Sequence, residues 1–513
     1  MTILTGRTRN TARKGKRVKA ADSGRSPPGP GPVHGCRRGC GRAQVMTRGF
    51  LVGAFLAFCG TVPPAEAQAD PFGGVWGGAI TLPTGELEVQ VELRMVGERW
   101  HGTIDVPVQG IHAMNLAGVR AWGDSITFAF AGVPGQPTFL GRIQEDRIEG
   151  VFSQGGQRFP FHLDRKEAAE RPSRPQTPQP PFPYSVEEVT YRNGDVILAG
   201  TLTVPAGPGP FPAVVMITGS GAQDRDETIF GHRPFAVIAD HLTRGGVAVL
   251  RSDDRGVGGS TGSRGRSTLE DFAGDALAGL RLLQERAEIA HDRLGLIGHS
   301  EGAKVAALAA GRDPSVAFIV LMAGSGVPLG EVMVTQARLL GEARGVGETH
   351  LQRQEVAQRE LFRLVEAGAD SVRLRQATRS LIEVQLEMAG LVGPAAEETV
   401  EQLADQHLPP MLTPLFRFGL SFDPREALRL VRVPVLAFGG TLDLQVPPDE
   451  NLPEIEKALR EAGNQDVTIH ELPGLNHLFQ RAATGTVEEY AQIEETMAPH
   501  VLELILDWIR HRF

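Results

Sequence analysis

Cysteine is almost missing from this chain of 513 residues: it has three, Cys36, Cys40 and Cys59. All three lie upstream of a leader-type cleavage pattern ending near Ala69. The chain beyond that point therefore has no thiol for a disulfide framework, a nucleophile or a thiolate metal site. Apolar runs long enough to cross a bilayer, about 20 residues, are also lacking; the run from Gly49 to Cys59 is too short. Positive charge is scarce except at the N-terminus. The formal net charge is −9, yet residues 1–48 hold twelve Lys/Arg against one acid, Asp22, so the remainder is more acidic than the total suggests. An acidic body repels nucleic acid and anionic lipid, and neither is expected as a partner. No spacing of His, Asp and Glu recommends a metal, and no cofactor is expected.

What the N-terminus does contain resembles a processing signal. Met46-Thr47-Arg48 forms a short basic stretch, residues 49–60 form an apolar h-region, and Thr61 to Ala69 carries overlapping A-x-A cleavage sites. Phe58 before Cys59 is too bulky for a lipoprotein signal, so export to the periplasm or medium without lipidation is expected. After removal of the signal no stable membrane insertion is expected. Met1 and Met46 are alternative starts, and the leader pattern favours Met46. The rival reading is a basic tail joined to a membrane anchor.

Residues 70–165 contain short alternating runs, clearest in Glu86-Leu87-Glu88-Val89-Gln90-Val91-Glu92-Leu93, punctuated by glycine. This predicts a small all-β sandwich or barrel. Residues 166–183 end in a Pro-rich linker, Arg171 to Pro183, expected to be semi-rigid and without a fold of its own. From 184 to 513 buried-type apolar runs, such as Ala213–Ile217, Leu294–Ile297, Ala317–Leu321 and Val433–Phe438, alternate with amphipathic helical stretches. That pattern predicts a mostly parallel sheet covered on both faces, an α/β fold. Between about 328 and 420 helical periodicity continues without a strand. An insertion of that size cannot lie inside the sheet, so a helical cap over the carboxyl ends of the strands is expected.

The densest chemical signal is Gly298-His299-Ser300-Glu301-Gly302, set between an apolar strand and a helix-forming Ala-rich stretch. A nucleophilic serine needs a strained strand-to-helix turn, and the two glycines remove side chains that would clash there. Ser300 is the candidate nucleophile. A hydroxyl is a weak nucleophile without a base, and the base needs an orienting carboxylate. In strand–elbow–helix hydrolases the chain order is Ser, acid, His. Asp443, in the loop after the last strong strand, is the candidate acid, with Asp423, Asp449 and Asp466 as rivals. His477, just after Val467–Leu472, is the candidate base, with His470 and His500 as rivals. The loop Thr218-Gly219-Ser220-Gly221 follows an early strand, so backbone N–H groups of Ser220 or Gly221, with that of Glu301, are candidate oxyanion donors. Asp253-Asp254-Arg255 reads as a hydrogen-bonded brace near the site.

Taken together, ITGSGAQDRDE, FGHRPF, LRSDDRGVGGSTG, GLIGHSEG, FGGTLDLQVPP and LPGLNHLFQ resemble the exported, EstD-like esterases of the α/β-hydrolase superfamily, a group also catalogued with serine aminopeptidase-like (S33-type) hydrolases. The resemblance covers about residues 184–513. It implies an α/β-hydrolase fold, often preceded by a β-rich domain. It also implies a carboxylesterase acting on small-molecule esters of short acyl chains, with Ser300, Asp443 and His477 as its triad. Two departures are visible: Ala303 stands where a third glycine is usual, and Ser252 where an aromatic often precedes DDRG. A peptidase with acidic cap residues (Glu331, Glu342, Glu348), an acyltransferase or thioesterase, and a non-catalytic envelope-binding protein are the alternatives.

Overall fold

The computed structural model describes residues 71–82, 85–96, 99–106, 111–130, 137–154, 157–166, 173–388 and 393–513. The leader, its h-region, all three cysteines and residues 167–172 lie outside the described residues.

Eight antiparallel strands come first: β1 (Gly74–Leu82), β2 (Gly85–Val96), β3 (Arg99–Val106), β4 (Ile111–Trp122), β5 (Ser125–Phe130), β6 (Thr138–Gln144), β7 (Arg147–Gln154) and β8 (Gln157–Lys166). Each pairs with the next, and β1 also pairs with β8, so the sheet closes into a barrel with no free edge. In β2 the apolar member of each pair, such as Val89, Val91 and Leu93, points into the barrel while the glutamates point out. The interior is aromatic: Phe139 packs against Phe128, Phe152 and Phe161 with ring centroids 4.7, 4.8 and 5.0 Å away. Such pairs add about 0.5–1.5 kcal/mol each beyond their burial.

Residues 173–183 contain no helix or strand, yet they are tethered. Arg174 donates to the carbonyls of Phe230, Ala491 and Ile493 at 3.1, 2.7 and 2.7 Å. Gln176 bonds Met497 O at 2.7 Å and accepts from Thr496 N at 2.6 Å. Proline content foretold the lack of regular structure; these contacts with distant loops have no local signature.

The second sheet contains β9 (Ser185–Asn193), β10 (Val196–Val204), β11 (Phe211–Ile217), β12 (Ala248–Ser252), β13 (Ile289–His299), β14 (Phe318–Met322), β15 (Val435–Gly440) and β16 (Val467–Leu472). Their order is β16-β15-β14-β13-β11-β12-β10-β9. From β12 to β16 all neighbours are parallel; β9 and β10 form the antiparallel end. The continuous apolar strands are explained by cover on both faces. Helices α1 (Pro234–Arg244) and α12 (Pro499–Arg510) pack on one face; α2 (Leu269–Gln284), α3 (Glu301–Ala310), α9 (Pro424–Leu428) and α10 (Pro448–Glu461) pack on the other.

Between β14 and α9 lie five further helices: α4 (Leu329–Ala343), α5 (Glu348–Glu366), α6 (Ser371–Met388), α7 (Pro394–Met411) and α8 (Pro414–Ser421). They share a core of their own around Leu361, Phe362, Val365, Leu374 and Leu420. The first of them is fixed to the loop after β15 and to the first turn of α10, because Gln336 reaches Gln445 at 3.4 Å and Thr335 reaches Glu450 at 3.0 Å. A short helix, α11 (Val487–Tyr490), lies in the segment before α12.

Candidate active site

The parallel strands all deliver their carboxyl ends to one edge of the sheet, where side chains and loops are free to converge. Ser300 sits at that edge, between β13 and α3, with φ 53° and ψ −114°. This backbone is strained for a residue with a side chain, at a cost on the order of 1–3 kcal/mol, and persists only where the surroundings over-determine it. Here they do. Ser300 N–H donates to Met322 O at 2.8 Å, pinning the elbow to the end of β14. A side chain on Gly298 would lie 2.1 Å from Gly302 O, and one on Gly302 would lie 2.2 Å from Ile217 O. Only glycine allows the helix to start this close to the neighbouring strands.

His477 and Asp443 meet in the same region. Nδ1 of His477 lies 2.7 Å from Asp443 Oδ2, and both side chains are buried. The other carboxylate oxygen, Oδ1, accepts the N–H groups of Gln445 and Val446 at 2.8 and 2.9 Å. A carboxylate fixed this way faces an N–H on Nδ1, which leaves a lone pair on Nε2 able to accept a proton. The loop carrying His477 is closed by Asn476, whose Oδ1 accepts from Leu478 N and Gln480 N, both at 3.0 Å. Gln480 in turn bonds His232 Nε2 at 2.9 Å. Burial pushes His232 down to about 4, so that ring is neutral.

The loop after β11 approaches the elbow closely: a side chain on Gly219 would lie 3.4 Å from Ser300 Cβ. Gly219 N–H is already taken, donating to Glu227 Oε1 at 2.6 Å. Ser220 and Gly221 are exposed beyond it, with Gly221 at φ +100°. On the other side Glu301 is the first residue of α3, and the first N–H groups of a helix have no partner within it. Glu301 thus adjoins Ser300 along the chain, and Ser220 and Gly221 follow the glycine that approaches it.

The loop after β12 braces this arrangement with buried charge. Asp253 accepts from Arg225 at 2.8 Å and from Gly259 N at 3.0 Å. Asp254 accepts from Thr218 Oγ1 at 2.6 Å, Gln223 N at 3.1 Å and Arg264 at 2.9 Å. Burial pushes the Asp254 carboxyl up to about 6, against the pull of Arg264. Arg264 also pairs with the Glu301 side chain and reaches Gly219 O at 3.4 Å. The sequence marked the Asp253–Arg255 loop as a brace; it assigned no role to Arg264 or to Glu227, the last residue of ITGSGAQDRDE, whose partners Glu301 and His299 lie 37 and 72 positions away.

The rival residues are elsewhere. Asp423 caps α9 and binds Arg425, Asp449 lies in the first turn of α10, and Asp466 pairs with Arg512. His470 lies within β16, and His500 is exposed on α12. Among the described residues no group of three or more His, Cys, Asp or Glu is arranged to hold a metal ion, and no helix is long and apolar enough to cross a membrane.

A mostly parallel sheet wound on both faces, a strained Gly-x-Ser-x-Gly turn and a helical insertion after β14 define an α/β hydrolase. The second sheet and its covering helices adopt that fold. Its residues 233–378 match the family model described as serine aminopeptidase, S33. Esterase EstD of Thermotoga maritima is 35% identical over 173 residues, which are 33% of this chain and 41% of that protein. The chain thus spans less than half the length of that relative. Among solved structures it is similar to DcsB in complex with a substrate analogue (20% identity, TM-score 0.40, 64% of this chain and 98% of that one). It is also similar to the Pyrococcus furiosus esterase Pf2001 (15% identity, TM-score 0.37, 64% and 93%).

Proposed function

We propose that this chain is a serine carboxylic ester hydrolase acting on small-molecule esters of short acyl chains. The observation that carries the reading is the buried 2.7 Å bond between His477 and Asp443, at the same sheet edge as the strained Ser300 elbow. His477 Nε2 takes the Ser300 proton as Oγ attacks the ester carbonyl carbon. The carbonyl oxygen becomes an oxyanion held by backbone N–H groups of Ser220 or Gly221 and of Glu301. Collapse expels the alcohol, which receives the proton from His477. Water, deprotonated by the same ring, then releases the acid and restores Ser300.

Ser300→Ala is expected to lower turnover of p-nitrophenyl acetate by about 10⁴-fold or more in a folded protein. Unchanged turnover would sink the assignment. The match to a serine aminopeptidase family model supports amide cleavage as a second reading. A panel of p-nitrophenyl esters of rising chain length, beside an aminoacyl-nitroanilide, separates the two. Esters turned over and the anilide untouched is the expected pattern; the reverse makes the protein a peptidase.

We further propose export through the leader at 46–69. A mature N-terminus near Ala69, read by intact mass on protein recovered outside the cytoplasm, is expected. An uncut N-terminus there would count against it.

A further inference from the structure

Beneath Ser300 lies a second acid–histidine pair that the proposed triad leaves unused. Glu227 is 3% exposed and held at φ 51°, in the left-handed region. Besides the bond from Gly219 N–H, both of its carboxylate oxygens lie 3.0 Å from Nδ1 of His299, the residue just before Ser300. On the other side of the ring, Nε2 of His299 lies 3.1 Å from the carbonyl oxygen of His477.

Both ring nitrogens of His299 therefore face oxygens that, with Glu227 ionised, can only accept. A neutral imidazole has one N–H and would set a lone pair against one of those oxygens; an imidazolium satisfies both. The surroundings favour the charged pair. Phe235, Ile238, Met322 and Phe479 wall it off from solvent, and attraction between opposite charges strengthens where water is absent. Three ionisable groups face the His299 ring: Glu227 from the loop after β11, Asp443 from the loop after β15, and His477, whose ring centroid is 4.9 Å away. Burial alone would push the His299 pKa down. The Glu227 carboxylate outweighs it, with smaller help from the His477 carbonyl and Asp443, and the net shift is upward.

We propose that Glu227 and His299 form a positioning pair that holds the oxyanion loop, the nucleophile elbow and the loop of the general base as one unit. The inference rests on the triad reading above. Each of the three parts is touched by the pair: Gly219 through its N–H, Ser300 through its neighbour His299, and His477 through its backbone carbonyl. Neither residue contacts the reacting atoms, so the effect falls on alignment, hence on kcat, and leaves KM nearly unchanged. The pair also has an alkaline limit. A histidine whose folded pKa lies above its unfolded value contributes stability below the unfolded pKa and loses it as pH rises through the folded one. Activity and stability should therefore both fall on the alkaline side as His299 gives up its proton.

Glu227→Gln keeps the size and one acceptor but removes the charge. It is expected to lower kcat for p-nitrophenyl acetate about 10²-fold, the scale of a small misplacement of catalytic groups. KM should stay close to that of the wild type, and the alkaline limb of the pH profile should move to lower pH. In the intact wild-type protein, ¹⁵N-histidine spectra near neutral pH should contain an imidazolium signal that disappears in His299→Gln. That measurement requires no active variant, so it decides the matter even if Glu227→Gln fails to fold. A kcat within about twofold of wild type with an unmoved alkaline limb would overturn the proposal, as would a neutral His299 ring. Persistent activity of Ser300→Ala would instead remove the triad reading while leaving the His299 signal intact, so the two failures are told apart.

Discussion

The two sheets of this protein treat polar groups and backbone strain in opposite ways. Among the described residues of the barrel, Ser125 is the one buried polar residue, and Glu145 is the one non-glycine residue with positive φ. In the second sheet, its loops and its covering helices, Glu227, Arg251, Asp253, Arg255, His299, Lys304, Asp443 and His477 are all buried. Non-glycine residues with positive φ there are Glu227, Phe230, Ser300, Ala323 and Phe479. Ser300 and Ala323 directly follow β13 and β14, and Ala323 N–H donates to Phe438 O at 2.8 Å. Phe479 lies two residues beyond His477, its N–H bonded to Asn476 O at 2.9 Å. Among its described residues the barrel departs from ordinary backbone preference at Glu145 alone. In the open sheet the strained residues Ser300, Ala323 and Phe479 gather at the carboxyl edge, the pattern of a site whose geometry is maintained against local preference.

The sharpest way to break this contrast is to remove charge at the edge without disturbing the fold. Asp443→Asn is expected to lower kcat about 10⁴-fold. The amide oxygen can still accept from Gln445 and Val446. The amide N–H₂ then faces His477 Nδ1 and forces the ring proton to Nε2, where it cannot receive the serine proton. The thermal midpoint should hold or rise, since a buried carboxylate has been replaced by a neutral group of the same shape. Turnover of p-nitrophenyl acetate and a melting curve check both halves. A variant that keeps its rate but melts early would make Asp443 a structural residue and erase the distinction between the two sheets.

Legibility in the sequence follows the same division. Strand β2 could be read residue by residue, because alternation is a local consequence of the pleat. The strand–turn–helix around Ser300 could be read because sterics demand glycine at 298 and 302, within two residues of the serine. The meeting of Asp443 with His477 was within reach because loops after strands converge at one edge of a parallel sheet. Sandwich and barrel were indistinguishable, since closure depends on β1 meeting β8 across about 70 intervening residues. Glu227 ends the ITGSGAQDRDE stretch, but nothing there gave it a role: it stands in a polar run, Asp224-Arg225-Asp226-Glu227, whose members look alike. Asp224 and Asp226 bind local N–H groups or a nearby arginine, while Glu227 turns inward to His299, 72 positions away. Only the folded path of the chain separates them.

If strain at the open sheet serves a purpose and strain in the barrel serves none, the barrel's should be removable. Glu145 occupies the two-residue turn between β6 and β7, with Gln144 paired to Arg147 and φ at 56°. Tight hairpins want positive φ, and glycine meets that need without a clash. A side chain in the left-handed region costs about 1–2 kcal/mol. Glycine returns that, less the added freedom of the unfolded chain, about 0.5–1 kcal/mol. Glu145→Gly should therefore stabilise the barrel by about 0.5–1 kcal/mol and leave kcat untouched. Trp76, Trp100 and Trp122 lie in the barrel, against Trp508 alone in the other sheet's helices, so fluorescence-detected urea unfolding reports mainly on the barrel. A loss of stability would mean that the exposed Glu145 side chain contributes more than its backbone costs, and strain in the barrel could no longer be set apart from strain at Ser300.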